Sequence, residues 1–346
     1  MANVAIIGNT TWGTTLGIML ARKGTGVKLW TRTPEEAREL NRVRQNAASL
    51  PGVPFPARLQ ATGSMEEAVA GAALVILAVP AQTMRGNMRL VAGHLGEGSL
   101  VLSAAKGLEA DTGKRMSEVI AEEAGPGLDS RFCVLSGPNL AREIIRRLPA
   151  ATVVAAKDEA VAQRVKKLLT TPSFCVYTNT DVVGVELGGA LKNIVALGAG
   201  IADGLGYGDN AKAALMTRGL DEITSLGVAM GAKPHTFSGL AGWGDLIVTC
   251  ASALSRNHYV GMELAGGRPL SEITDTMREV AEGVATTRAA RDVARRLGVE
   301  MPIAELIYRV LFEGLDPRRA AADLMGLRGG RELPWQSSPA PPPTGR

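Results

Sequence analysis

Short apolar runs of strand length punctuate the first half of the chain. They fall at residues 4–7, 27–30, 74–79, 100–104, 132–135, 152–155 and 173–176, and the runs at 74–79 and 100–104 have almost no polar position. Runs without polar alternation are expected of strands buried on both faces of a parallel sheet. Residues 12–23 and 34–46 space their apolar positions as helices do, so strand and helix alternate. That alternation predicts an α/β fold beginning with a Rossmann-type parallel sheet covered by helices.

After residue 178 the pattern becomes helix after helix. Asp181 fits the N-cap of a long helix carrying Val185, Glu186, Gly189, Lys192 and Asn193. The expected division is a dinucleotide-binding domain over 1–180 and an all-helical substrate-binding domain over 181–327. The remaining residues, 328–346, combine an Arg-Gly-Gly-Arg start with a Ser- and Pro-rich run. They are expected to be a disordered tail.

Composition narrows the classes. At 46% hydrophobic over 346 residues, the chain can build one large or two medium cores. Its formal charge of +4 is scattered, with only short pairs such as Arg146-Arg147 and Lys166-Lys167. No basic run is interleaved with aromatics, which argues against nucleic acid, while a mild positive balance suits a small anion. Cys133, Cys175 and Cys250 lie far apart, and with His94, His235 and His258 they form neither a disulfide framework nor a zinc pattern. No metal is expected, and the thiols read as reduced and buried. The N-terminus lacks a signal-peptide pattern, and the longest apolar run, about 72–79, is far below the ~18–20 residues of a membrane span. The expectation is a soluble, cytoplasmic protein.

Residues 8–13, Gly8-Asn9-Thr10-Thr11-Trp12-Gly13, sit between the first strand and the first helix, where a dinucleotide fingerprint belongs. Gly8 suits the tight turn, Gly13 suits close helix–strand packing, and the N–H groups of the helix start would face a pyrophosphate. Thr10 stands where the fingerprint has its middle glycine. Its side chain would either crowd the phosphate or donate a hydrogen bond to it. The second strand ends in Thr31-Arg32-Thr33, without the acid that binds a ribose 2′-OH. Arg32 suits a 2′-phosphate, so the cofactor reading is NADP or NAD, with NADP favoured.

Polar residues cluster after later strands. Lys106-Gly107 follows residues 100–104, and Ser136-Gly137-Pro138-Asn139 follows 132–135, both at the edge where α/β sheets bind ligands. On the long helix, Gly188 and Gly189 share a face with Lys192. Two glycines inside a helix cost ~1 kcal/mol each relative to alanine. They are read here as room for a nicotinamide ring or substrate, in preference to close helix packing. Further on, a glycine-rich turn presents Asp245, with Thr249 beyond it. Ser255-Arg256-Asn257 reads as a helix start with a Ser255 cap and a guanidinium, together an anion pocket.

Taken together, these motifs make the chain resemble the NAD(P)-dependent glycerol-3-phosphate dehydrogenases over about residues 3–326. The matching stretches are Lys106-Gly107-Leu108-Glu109, Ser136-Gly137-Pro138, residues 188–193, residues 210–219, residues 241–246 with Thr249-Cys250, Ser255-Arg256-Asn257, and Val280-Ala281-Glu282-Gly283. The resemblance implies interconversion of sn-glycerol 3-phosphate and dihydroxyacetone phosphate, supplying phospholipid synthesis; a homodimer is one assembly the chain could form, and the sequence leaves the oligomeric state open. It implies that Lys192 exchanges the proton, that Lys106 contacts substrate and cofactor, and that Asp245 and Thr249 position the reacting groups. Ser255, Arg256 and Asn257 would hold the substrate phosphate, with Gly137, Asn139 and Asn193 also at the substrate. Arg256, Val280, Glu282 and Ala141 would join Thr11, Trp12 and Arg32 at the cofactor. The chain departs from the family at Thr10, at Asn139-Leu140 in place of Ser/Thr-Phe, and at Arg142 in place of Lys.

Two other readings stand beside it. A 3-hydroxyacid dehydrogenase would not need the Ser255-Arg256-Asn257 pocket, and a non-catalytic NAD(P)-binding protein would not need Lys106, Lys192, Asp245 and Arg256 together. A free lysine, with pKa ~10.4, is a poor acid near neutrality. Burial, Lys106 and Arg256 would lower that value while Asp245 and a substrate phosphate oppose them, and sequence leaves the balance open.

Overall fold

The computed structural model describes residues 3–125 and 127–326, so the expected tail at 328–346 lies outside the described residues. Among the described residues eight strands form one sheet: β1 (Asn3–Ile7), β2 (Gly26–Trp30), β3 (Leu59–Thr62), β4 (Ala72–Leu77), β5 (Leu100–Ser103), β6 (Phe132–Ser136), β7 (Ala150–Ala155) and β8 (Phe174–Asn179). Their order is β3-β2-β1-β4-β5-β6-β7-β8, so the chain reverses direction across the sheet between β1 and β4. In open α/β sheets such a switch point opens a crevice at the carboxyl ends of the strands.

Burial on both faces explains the unbroken apolar runs. In β1, Val4 and Ile6 join one core layer while Ala5 and Ile7 join the opposite one. Leu74 and Ile76 of β4 divide from Val75 and Leu77 in the same way. β3 was not anticipated, because Leu-Gln-Ala-Thr is a four-residue edge strand that pairs only with β2. The sheet is parallel except where β7 runs antiparallel to β6, Val134 facing Ala155 and Ser136 facing Val153. An apolar run encodes burial and not direction, so that reversal was not legible either.

Past β8 the long helix Val182–Gly204 runs through the centre of a helical layer. Asp181 caps it, accepting from Gly184 N at 3.0 Å. The other Asp181 oxygen accepts from Lys233 N and from Thr236 Oγ1, which ties down the Pro234–Phe237 turn. The helix is long and apolar enough to cross a membrane, but 89% of its most apolar stretch is buried inside the protein. It is a core helix. Glu186 docks it on the sheet layer by accepting from Ser117 N, Ser117 Oγ and Arg115 Nη1 at 2.6–2.8 Å. Cys133 and Cys250 are buried, whereas Cys175 is exposed on β8, contrary to the expectation of buried thiols.

The long helix crosses the helix Arg256–Ala265 almost backbone to backbone. A Cβ on Gly200 would lie 2.0 Å from His258 O, and one on Gly261 would lie 2.1 Å from Leu197 O. This contact fixes the start of the second helix, where Ser255, Arg256 and Asn257 sit. Gly261→Ala is therefore expected to force the helices apart and lower the unfolding free energy by about 1–3 kcal/mol, measured in urea. Unchanged stability would show that the crossing is looser than described.

Candidate active site

The loop after β1 is shaped by close approach. Gly8 has φ +108°, and a Cβ there would lie 2.7 Å from Ala78 O. A Cβ on Gly13 would lie 2.1 Å from Gly8 O. Both glycines thus let the helix Thr11–Arg22 start directly against the sheet, and neither lines the cleft beside it. Thr10 caps that helix. Its hydroxyl accepts from Gly13 N at 3.1 Å and donates to Ala78 O at 2.8 Å. The single hydroxyl hydrogen is already committed, which disfavours donation to a phosphate, one of the two alternatives for this side chain.

The helix start does bind an anionic oxygen. Thr11 N donates to Glu279 Oε1 at 2.9 Å. The other Glu279 oxygen lies 3.4 Å from Arg256 Nη1, which also donates to Val280 O at 2.8 Å. A carboxylate therefore bridges the exposed N–H of a helix terminus and a guanidinium, as the positive end of a helix favours.

A cleft of about 780 Å³ opens along this edge. From the sheet layer it gathers Thr10, Thr11, Trp12, Arg32, Lys106, Asn139 and Ala141. From the helical layer it gathers Lys192, Asn193, Thr249, Ser255, Arg256, Asn257, Val280 and Glu282. Gly137 and Asp245 stand behind this lining and hold its lysines.

Four polar groups form the floor. Lys192 Nζ donates to Asp245 Oδ1 and to Thr249 Oγ1, each at 2.5 Å. Lys106 Nζ donates to the second oxygen, Asp245 Oδ2, at 2.6 Å and to Gly137 O at 2.8 Å. Thr249 passes its own hydrogen back to Asp245 O at 2.6 Å, so its oxygen faces Lys192 as an acceptor. Asp245 is 1% exposed and Lys192 6%. Burial disfavours the lysine's charge, Asp245 restores part of it and Lys106 opposes it, leaving the Lys192 pKa at about 8. Arg256, which had been expected to lower it as well, is turned to Val280 O and Glu279 instead.

Asp245 begins the helix Asp245–Ala251 directly after a π-helical turn, Leu240–Gly244. That turn packs on the glycine pair. A Cβ on Gly188 would lie 2.5 Å from Ala241 O, and one on Gly189 would lie 2.3 Å from Ser136 Oγ. The pair therefore serves close packing, not room for a ligand, and the sequence-based preference is corrected. It draws the turn and β6 against the helix that carries Lys192.

The amides and Ser255 are mostly structural in their contacts. Asn257 Nδ2 donates to Asn193 Oδ1 at 2.9 Å, and Gly283 N donates to Asn257 Oδ1 at 2.9 Å, linking three helices at the cleft wall. Ser255 caps its helix by accepting from His258 N at 3.2 Å. Two acceptors are left over: Asn139 Oδ1 and Glu282 Oε2 are buried without a protein donor. The other Glu282 oxygen accepts from Ala81 N at 2.9 Å, and burial raises its carboxyl pKa despite that bond and Arg256. Two acids in the cleft were not foreseen. Glu279 comes from a segment far along the chain, and Glu36 lies in the first helical turn after Arg32, held by Asn9 Nδ2 at 2.6 Å.

The chain is similar along most of its length to known dehydrogenases. The model of the NAD-dependent glycerol-3-phosphate dehydrogenase N-terminus matches residues 3–162, and that of the C-terminus matches 181–322. A glycerol-3-phosphate dehydrogenase [NAD(P)+] from Dehalococcoides mccartyi is 57% identical over 96% of this chain and 93% of its own length. One from Geobacter sulfurreducens is 50% identical over 93% of this chain and 96% of its own. The crystal structure of glycerol-3-phosphate dehydrogenase from Coxiella burnetii superposes with a TM-score of 0.89 at 34% identity, covering 94% of this chain and 98% of that one. Because the Thr10 hydroxyl caps a helix, Thr10→Ala is expected to lower the unfolding free energy by about 1 kcal/mol in thermal or urea melts. An unchanged midpoint would mean that the cap carries no weight.

Proposed function

The chain belongs to the NAD-dependent glycerol-3-phosphate dehydrogenase family, and on that premise we propose how its residues divide the reaction. The enzyme interconverts sn-glycerol 3-phosphate and dihydroxyacetone phosphate with NAD(P). Its contribution is the supply of glycerol phosphate for phospholipid synthesis in the cytoplasm, and light scattering distinguishes a monomer from the homodimer.

The residues fit a dinucleotide. The Thr11 N–H already takes a carboxylate oxygen where a pyrophosphate oxygen would bind, and Glu282 Oε2 is a buried acceptor that lacks a donor. Thr11, Trp12, Arg32, Ala141, Val280 and Glu282 would hold this group, with Lys106 and Arg256 reaching both it and the substrate. When bound, it supplies or accepts the hydride at the substrate's second carbon.

Lys192 performs the matching proton transfer. During reduction the carbonyl π pair moves onto the substrate oxygen, and Lys192 Nζ gives that oxygen a proton. During oxidation neutral Lys192 removes the hydroxyl proton. Asp245 and Thr249 aim the Nζ, and Lys106, steadied by Gly137 O, lies on the same carboxylate. Arg256 is the cation for the substrate phosphate, at a helix start capped by Ser255 and braced by Asn257 and Asn193. Asn139 offers its unpaired oxygen to a substrate hydroxyl.

The observation carrying this assignment is the buried Lys192 Nζ, held by Asp245 and Thr249 at a cleft shared with the β1 loop and Arg256. Lys192→Ala is expected to cut turnover by about 10²–10⁴-fold while the protein still binds NADH in a fluorescence titration. Near-normal turnover would remove Lys192 from the role.

A further inference from the structure

We propose that Glu36, steered by Asn9, biases this enzyme towards the dinucleotide without a 2′-phosphate and so works against Arg32; the proposal rests on the dehydrogenase reading above. In a sheet of this order the adenosine ribose binds near the carboxyl ends of the first two strands, and an acid there accepts from its 2′-OH. β2 ends without one, since Thr31 is buried and the next residue is Arg32. The acid arrives from the next element. Thr33 caps the helix Pro34–Val43 by accepting from Glu36 N at 3.2 Å, which sets Glu36 in the first turn.

Asn9 then decides where that side chain points. It directly follows Gly8 in the loop after β1, and its Nδ2 donates to Glu36 Oε1 at 2.6 Å. The carboxylate is thereby brought across from the second βα loop to the first. Asn9, Arg32 and Glu36 all line the cleft. Glu36 is held by Asn9 and not by Arg32, so both charges remain available to a ligand.

The two residues favour different ribose substituents. A 2′-OH can donate to Glu36 Oε2, and a neutral ribose gains little from Arg32. A 2′-phosphate, carrying about −1.5 to −2 charges, gains from Arg32 and is repelled by Glu36. The site is open to solvent, so each effect is a matter of fold-changes and not of all-or-none selection. Glu35 provides an internal comparison: it pairs with Arg38 at 2.5 Å and does not line the cleft.

The test compares the full-length wild type with Glu36→Gln, Glu35→Gln and Arg32→Gln. Dissociation constants for NADH and NADPH are read by fluorescence titration without substrate, and kcat/KM by reduction of dihydroxyacetone phosphate. Glu36→Gln is expected to shift the NADPH/NADH affinity ratio towards NADPH by about three- to fivefold, and Arg32→Gln to shift it the other way. Glu35→Gln, which removes the same charge outside the cleft, should move it less than twofold. The proposal is overturned if Glu36→Gln also moves the ratio less than twofold, or moves it no more than Glu35→Gln. If the wild type binds both dinucleotides but does not reduce dihydroxyacetone phosphate, the substrate reading fails while the affinity ratios still decide the role of Glu36.

Discussion

Two lysines from opposite halves of the molecule share one buried carboxylate. Lys192 comes from the long helix, Lys106 from the loop after β5, and Asp245 from the helix that follows the π-helical turn. An isolated charge at Lys192 or Asp245, both buried, would carry a large desolvation penalty, and breaking a buried pair costs more than an exposed one. The three groups must therefore be assembled together. Their assembly joins the sheet layer to the helical layer at the point where proton transfer is assigned.

Much of the surrounding packing follows from that requirement. Gly188 and Gly189 let Ala241 and Ser136 approach the long helix, which brings Asp245 and the end of β6 within reach of Lys192 and Lys106. Gly200 and Gly261 do the same one layer further out, placing the Ser255–Arg256 helix start at the cleft. Helix-interior glycines reduce helix propensity, and here they serve close backbone contact that no larger residue permits. The dinucleotide end is arranged separately, through Gly8, Gly13 and the Thr10 cap. The Glu279–Arg256 contact links the two ends of the cleft.

What could be read from sequence divides along physical lines. Strands buried on both faces declared themselves, as did the Asp181 and Ser255 caps, because these signals are local. β3 was too short and polar to register, and the direction of β7 is set by its neighbours and not by its own residues. The glycine pair was noticed for its propensity cost but assigned to the wrong cause, since a void and a tight contact leave the same mark in sequence. Lys106, Lys192 and Asp245 stood out by their places after a strand, beside the glycine pair and on a glycine-rich turn, and the family resemblance gave them roles, while their shared hydrogen bonds appear only in three dimensions. Glu36 and Glu279 escaped notice because Asn9 and Thr11 select them from 27 and 268 residues away.

If Lys192 exchanges the substrate proton, burial and Asp245 together set its protonation and thereby the direction-dependent pH behaviour of the enzyme. The most direct measurement is kcat/KM against pH in both directions for the wild type and Asp245→Asn. With a Lys192 pKa of about 8, wild-type reduction should fall above that pH as the ammonium is lost, while oxidation rises through the same interval. Asp245 favours the charged lysine, so Asp245→Asn should move both breaks to lower pH. A profile without a break near pH 8, or breaks that stay in place or move upward in Asp245→Asn, would rule out proton exchange through an Asp245-held Lys192.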